Sequence, residues 1–228
     1  MASFLQDLEC NGFVILQNQI DSVTLERLRT DLENSLSGGQ AGIRNLLNRV
    51  RSVNELAGSE TLGRLVKQVL GESARVVRGV YFDKQKDANW KVAWHQDLTI
   101  AMKRRVDVEG FGAWSFKAGI QHVQPPASIL EQMIALRVHL DEADEANGCL
   151  RVIPGSHRQG RLSGDEITTL RSASTAVSCR VRSGDVMLMR PLLLHASSVA
   201  MVPKHRRVIH LEYSSAKLPN GLEWYEED

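Results

Sequence analysis

The sequence has too few cysteines for a disulfide framework: three in 228 residues, Cys10, Cys149 and Cys179, an odd number with no CxxC spacing. Neither a disulfide scaffold nor a cysteine-rich zinc cluster is therefore expected. Charge of either sign is not in excess. The net value of +1 removes the electrostatic case for a nucleic-acid partner or an acidic membrane surface. No apolar run approaches the roughly 20 residues that a membrane-spanning helix needs. The opening Met1-Ala2-Ser3-Phe4-Leu5-Gln6-Asp7 lacks the basic stretch and apolar core of a secretory signal. These absences leave a soluble protein of a reducing, cytoplasmic compartment as the expectation, with oligomeric state open. Internal repeats and low-complexity segments are missing too, and 228 residues suffice to bury a substantial core as one domain.

What is present falls into two regimes. After a short strand at residues 12–16, Asp21 or Ser22 is placed to cap a helix carrying Leu25, Leu28, Leu32 and Leu36 on one face. Ser37-Gly38-Gly39 is its expected stop. Residues 44–50 read as helical, and Ser59 caps a further helix with Leu62, Leu65, Val66 and Val69, ended at Gly71. Helices of this kind cover one face of a sheet.

From residue 74 the apolar period changes towards two, and strands are predicted at 74–82, 91–95, 134–140, 149–153 and 206–213. Residues 176–181 and 185–189 read as a strand pair around Ser183-Gly184. Residues 84–89 read as a polar turn, 141–147 as a solvated acidic loop, and 165–167 as the start of a short helix. Residues 104–126 hold Gly110, Gly112, Gly119, Pro125 and Pro126 with Phe111, Trp114 and Phe116 between them. They read as a long irregular loop, either packed on the body or closing over a site. About eight strands behind leading helices fit a mainly β fold, a double-stranded β-helix of the jelly-roll, cupin-like kind. Residues 1–72 would be helical support, 73–216 the core and 217–228 a tail, all within a single domain spanning 1–228.

Three of the seven histidines have an acid two places on: His95/Asp97, His139/Asp141 and His210/Glu212. Chance supplies roughly one such pair. On a strand, residues i and i+2 share a face, so each pair aims an imidazole and a carboxylate at a common point. A second histidine from another strand would complete a two-His-one-carboxylate face, which leaves positions open on iron(II) for a co-substrate and oxygen. His195, in Leu192-Leu193-Leu194-His195-Ala196-Ser197, is the candidate third ligand. Eleven residues later Arg206 heads the apolar run Val208-Ile209-His210-Leu211. The plain alternative for any pair is a strand-end histidine hydrogen-bonded to a neighbour, and spacing alone leaves the three pairs open.

Three segments carry a resemblance that separates them. Trp94-His95-Gln96-Asp97-Leu98, Asn147-Gly148-Cys149-Leu150-Arg151-Val152-Ile153-Pro154-Gly155-Ser156-His157 and Pro191-Leu192-Leu193-Leu194-His195-Ala196-Ser197 resemble, in that order, the phytanoyl-CoA dioxygenase family. The resemblance implies an iron(II)- and 2-oxoglutarate-dependent dioxygenase using O2. It assigns iron to His95, Asp97 and His195, and the co-substrate to Arg206 with Ser197 as auxiliary donor. His139 then takes a packing or supporting role, and Arg207, on the opposite strand face, is expected at the surface. Related halogenases replace the metal-binding carboxylate with a small residue, so Asp97 points to hydroxylation, with desaturation or cyclisation open. The family often has asparagine five places after the distal histidine, and here that place is Ala200.

Arg137 is the remaining candidate. It sits mid-strand on the face of Ala135 and His139, where a charge is costly to bury unpaired. Either that face is solvated or Arg137 pairs with an acid such as Asp141; or, by the resemblance, it lines the pocket and anchors a small polar or anionic metabolite. Two other functional classes stay open on the residues: a cupin-type metalloenzyme that does not use 2-oxoglutarate, and a non-catalytic jelly-roll binding protein. Arg206 argues against the former, because a buried arginine at the barrel mouth wants a carboxylate.

Overall fold

Every residue of the strand Met133–His139 is buried, and the alternation along it divides the molecule into an outer and an inner layer. The computed structural model describes residues 4–35, 42–219 and 221–226, so the helix stop expected at Ser37-Gly38-Gly39 lies outside the described residues. Helices α1 (Phe4–Asn11), α2 (Ser22–Ser35), α3 (Leu46–Arg49), α4 (Arg51–Ala57) and α5 (Glu60–Leu70) precede most of the β structure. Caps fix two of their starts: Asp21 accepts the Thr24 N–H (2.9 Å) and Ser59 accepts that of Leu62 (3.4 Å). Later come α6 (Ala127–Leu130) and α7 (Gly164–Ala173). The last opens with a capping box between Ser163 and Glu166.

The strands are β1 (Phe13–Leu16), β2 (Gly42–Arg44), β3 (Arg75–Asp83), β4 (Val92–His95), β5 (Ile100–Met102), β6 (Gly112–Lys117) and β7 (Ile120–Gln124), followed by β8 (Met133–His139), β9 (Leu150–Val152), β10 (Val177–Cys179), β11 (Val186–Met189), β12 (His195–Ser197) and β13 (Arg207–Ser214). They form an antiparallel six-stranded sheet, ordered β1-β11-β8-β13-β3-β2, a four-stranded sheet β10-β9-β12-β4, and a three-stranded sheet β5-β7-β6. The larger two face each other as a double-stranded β-helix. Ala135, Met187 and Met189 of one cluster with Leu150, Val152 and Cys179 of the other.

Outside the six-stranded sheet, Leu28, Leu32, Val53 and Leu62 of the helices pack on Ile134, Leu136, Val138, Ile209 and Leu211. Each such side chain removed from water contributes about 1.5–3 kcal/mol. The helices lie close because β3 carries Gly79, where a Cβ would come 3.0 Å from Leu47 Cγ and 3.3 Å from Leu46 Cβ. The inner face of the same strands reads Ala135, Arg137 and His139 on β8 and Val208, His210 and Glu212 on β13. Charges in a strand covered on both sides are unusual, and they mark the barrel interior as the place of the chemistry.

Three expectations need correction. Residues 176–181 and 185–189 are not a strand pair: β10 pairs with β9 and β11 with β1 and β8, in different sheets. Residues 104–126 are not one irregular loop, because β6 and β7 form a hairpin against β5. The closing residues are also more than a tail. Trp224, 1% exposed, packs with Ile100, Met102 and Leu222, and buried Glu226 accepts the N–H groups of Leu47 (3.0 Å) and Gly79 (2.8 Å). Burial pushes that carboxyl up to about 7.

The Gly79 contact is testable. Gly79→Val should overpack the helix–sheet interface by about 1–3 kcal/mol, lowering Tm by several degrees at roughly 2–4 °C per kcal/mol for a chain of this size. Gly63→Ala, where a methyl meets nothing within 4 Å, should hold or raise Tm. Equal melting of Gly79→Val and the parent would refute the close-approach account.

Candidate active site

β12 runs antiparallel to β4 with His195 directly opposite His95, and the register slips before Ser197, which pairs with Val92. Opposed residues of an antiparallel pair project to the same face, and the two imidazoles enter the barrel with ring centroids 4.2 Å apart. β4 ends at His95, so Asp97 follows on an extended segment rather than within the strand. Its N–H donates to the Pro191 carbonyl (2.9 Å). Between them, buried Gln96 donates to the carbonyls of Gly160 (2.8 Å) and Leu192 (2.7 Å) and accepts the Leu162 N–H (2.8 Å). Three bonds, two to the 160–162 stretch and one to Leu192, hold the stretch that presents Asp97. Nothing in the spacing of the motif marks Gln96 for this work.

The backbone also orients each imidazole. Nδ1 of His95 lies 2.9 Å from the Ala93 carbonyl and Nδ1 of His195 2.8 Å from that of Leu193. A carbonyl only accepts, so the proton sits on Nδ1 and each Nε2 lone pair faces inward. The two Nε2 atoms stand 3.6 and 3.7 Å from Asp97 Oδ1 and Oδ2, too far to be hydrogen bonds. All three donors lie within 4.8 Å of one another. Two imidazole nitrogens and a carboxylate oxygen around a shared centre, with the remaining directions open, fit iron(II).

Electrostatics suit the same role. Burial alone would raise Asp97, but the imidazoles of His195 and His95, with His210 behind, hold it far below the usual carboxylate range. Burial pushes His195 down to about 4, which keeps it neutral and able to ligate. For His95, burial is outweighed by Asp97 and the pKa is raised.

A cavity of about 170 Å³ opens beside the triad, lined among others by Ser197, Arg206, Arg137, His210, Glu212 and Arg78. Arg206 is buried, and its Nη1 donates to the Gly148 carbonyl, while its Nε has no partner among the described residues. Burial and Arg137 push it down to about 10. Gly148 is required there: its φ is +73°, and a Cβ would come 2.5 Å from the Ser198 carbonyl oxygen. Arg207 points the other way but is not a plain surface residue. It forks onto Asp141 (2.9 and 3.0 Å) and reaches Glu33 (2.7 Å), tying the sheet to α2.

Arg137 faces the cavity. Its guanidinium lies 5.8 Å from the Phe82 ring centroid, and Nη1 is 3.1 Å from His210 Nδ1. Asp141 is taken by Arg207, and the face is not solvated, so both plain accounts of Arg137 fall. Arginine only donates, so His210 Nδ1 accepts and its Nε2 proton faces Glu212 Oε1 (3.4 Å). Glu212 also receives Arg78 Nη1 (2.9 Å). The His210/Glu212 pair is thus part of a polar wall. His139 is buried with neither ring nitrogen partnered among the described residues, and burial, Arg137 and Arg206 hold it well below its usual pKa. Lys84, expected in a polar turn, is instead fully buried beside Ser197.

Comparison with known proteins agrees with this geometry. The family model for phytanoyl-CoA dioxygenase matches residues 8–208. The rice (Oryza sativa subsp. japonica) protein phytanoyl-CoA dioxygenase 1 is 27% identical over 159 residues, covering 65% of this chain and 47% of that one. The chain therefore spans about half the length of the curated relative it matches. Among solved structures, AviO1 from Streptomyces viridochromogenes Tue57 superposes with a TM-score of 0.68 at 21% identity, over 94% of this chain and 95% of that one. EctD from S. alaskensis, solved with bound Fe, gives 0.73 at 18%, over 94% and 76%. The non-heme alpha ketoglutarate dependent carbocyclase SnoK gives 0.70 at 14%, over 92% and 82%. At these identities the likeness speaks for the shared fold, while the family match spans most of the residues that build the site. This chain belongs to the phytanoyl-CoA dioxygenase family.

Proposed function

We propose that the chain is an iron(II)- and 2-oxoglutarate-dependent dioxygenase that hydroxylates a small polar or anionic metabolite. The observation that carries the reading is the triad itself: His95, Asp97 and His195, both imidazoles locked by backbone carbonyls with their free nitrogens turned to one centre. These residues hold iron(II). Arg206 and Ser197 receive the distal carboxylate of 2-oxoglutarate, leaving its keto-acid end directed at the triad. EctD, similar in fold, has been solved with 2-oxoglutarate and 5-hydroxyectoine, which supports the co-substrate. When bound, iron and O2 couple conversion of 2-oxoglutarate to succinate and CO2 with insertion of one oxygen atom into the substrate. The protein holds the metal, excludes water and aims the substrate. Retention of Asp97 as a carboxylate supports hydroxylation as the outcome.

Charge balance supports an anionic substrate held by Arg137. The cavity lining carries three guanidiniums, Arg78, Arg137 and Arg206, against two carboxylates, Asp97 and Glu212. Iron(II) and the 2-oxoglutarate dianion cancel, so the lining keeps one positive charge in excess, and buried Lys84 beside Ser197 adds a second. Glu212 answers Arg78, which leaves Arg137 in want of an anion. The cavity is smaller than the few hundred Å³ of typical ligand sites, in keeping with a small molecule.

Oxygen uptake measured with and without 2-oxoglutarate tests the class: uptake should require it and yield succinate in equal amount, and uptake indifferent to it would sink the reading. Three substitution results are expected. His95→Ala, Asp97→Ala or His195→Ala should abolish iron binding, whereas His139→Ala should leave metal content largely intact; the reverse would mean that the wrong histidines were chosen. Arg206→Ala should weaken 2-oxoglutarate binding by on the order of 3–5 kcal/mol, roughly two to four decades in Kd. Arg207→Ala should cost stability through Asp141 and leave that Kd little changed, and equal effects on binding would remove the assignment. Arg137→Leu should keep iron and 2-oxoglutarate while raising the KM of an anionic substrate; turnover at an unchanged KM would show that Arg137 is not its anchor.

A further inference from the structure

Lys84 stands one step beyond the last β3–β13 pair, Asp83 with Arg207. Its N–H donates to the Arg206 carbonyl (3.4 Å) and its carbonyl accepts the Arg206 N–H (3.1 Å). Facing residues of such a pair project to the same side, so an ammonium and a guanidinium enter the barrel side by side. Lys84 is 0% exposed. Its Nζ donates to the Ser198 carbonyl (2.6 Å) and to Ser197 Oγ (3.3 Å), and lies 5.6 Å from the centroid of the Trp90 ring. No carboxylate among the described residues pairs with it. Gly148 is wedged alongside, its carbonyl taken by Arg206 and a Cβ on it 3.4 Å from the Lys84 ammonium.

An ammonium removed from water without a counter-charge is costly, and a well-packed apolar side chain in its place is often neutral or better for stability. Burial and the neighbouring Arg206 push Lys84 down to about 8, which reflects that cost. Packing alone therefore does not explain a lysine here, whereas an anion entering between Lys84 and Arg206 does. The hydrogen bonding supplies the route. An ammonium only donates, so Ser197 Oγ accepts from Lys84 and its own proton is left to point into the cavity that Ser197 lines.

We propose that Lys84 is a positioning residue for the co-substrate: it turns the Ser197 hydroxyl into a donor towards the distal carboxylate of 2-oxoglutarate and sets a second positive charge behind Arg206. The inference rests on the 2-oxoglutarate reading of the site and adds a residue to it. The test is a comparison of two ligands on the iron(II) protein without oxygen. 2-Oxoglutarate and 2-oxopentanoate share the keto-acid end, and only the first has a distal carboxylate. In the parent, calorimetry should show clear preference for 2-oxoglutarate. In Lys84→Met that preference should shrink by about tenfold or more, with iron content and the Kd for 2-oxopentanoate unchanged. Equal weakening of both ligands would show a merely structural lysine, and an unchanged preference would show an idle one; either overturns the proposal. A parent with no preference would instead refute the co-substrate reading, and this inference with it. Should Lys84→Met fail to fold, Lys84→Gln, which keeps a donor for the Ser198 carbonyl, carries the same comparison.

Discussion

The antiparallel pairing of β12 with β4, which sets His195 opposite His95, is the constraint on which the site depends. It brings together residues 100 positions apart in the chain and gives both imidazoles one direction. Everything around it serves to hold that direction. Each ring is tied to the carbonyl two residues back, Gln96 ties the Asp97 segment to three backbone positions, and the six-stranded sheet closes the opposite side. The helices outside that sheet supply much of the apolar burial, and so the stability that permits charges inside the barrel.

Those interior charges follow a pattern. Cations outnumber acids in the cavity, and one of its two carboxylates is a candidate metal ligand. Arg206 and Lys84 lie where a carboxylate from solution would complete them, and Arg137 is offered a histidine rather than an acid. By contrast Arg207, the next residue and turned the other way, has its anion built in as Asp141. Two adjacent arginines thus differ in whether the protein supplies the partner.

Much of the candidate site was legible in the sequence, though spacing offered three His/acid pairs and only the family resemblance chose among them. His95 and Asp97 are two residues apart, His195 and Arg206 eleven, and the strand at 134–140 puts Ala135, Arg137 and His139 on one face, which its burial in the structure turns inward. What stayed hidden depends on distant partners. Lys84 reads as part of a polar turn because its neighbours are polar, and the groups that surround it, Arg206, Ser197 and Ser198, are distant in sequence. β10 and β11 are separated by a few residues yet join different sheets, a choice made by β9, β1 and β8 rather than by the turn between them. The β6–β7 hairpin turns through Ala118 and Gly119, both at positive φ, and alanine is not a residue that advertises such a turn.

Visible absorption under anaerobic conditions tests the central claim most directly. Iron(II) and then 2-oxoglutarate are added to the protein, and the charge-transfer band of a keto acid chelated to iron(II) is followed to saturation. The result expected is one iron and one 2-oxoglutarate per chain, with the band lost in Asp97→Ala and in His195→Ala. Iron binding without a band on adding 2-oxoglutarate, or a band that survives loss of His195, would contradict the assignment of the triad and its co-substrate.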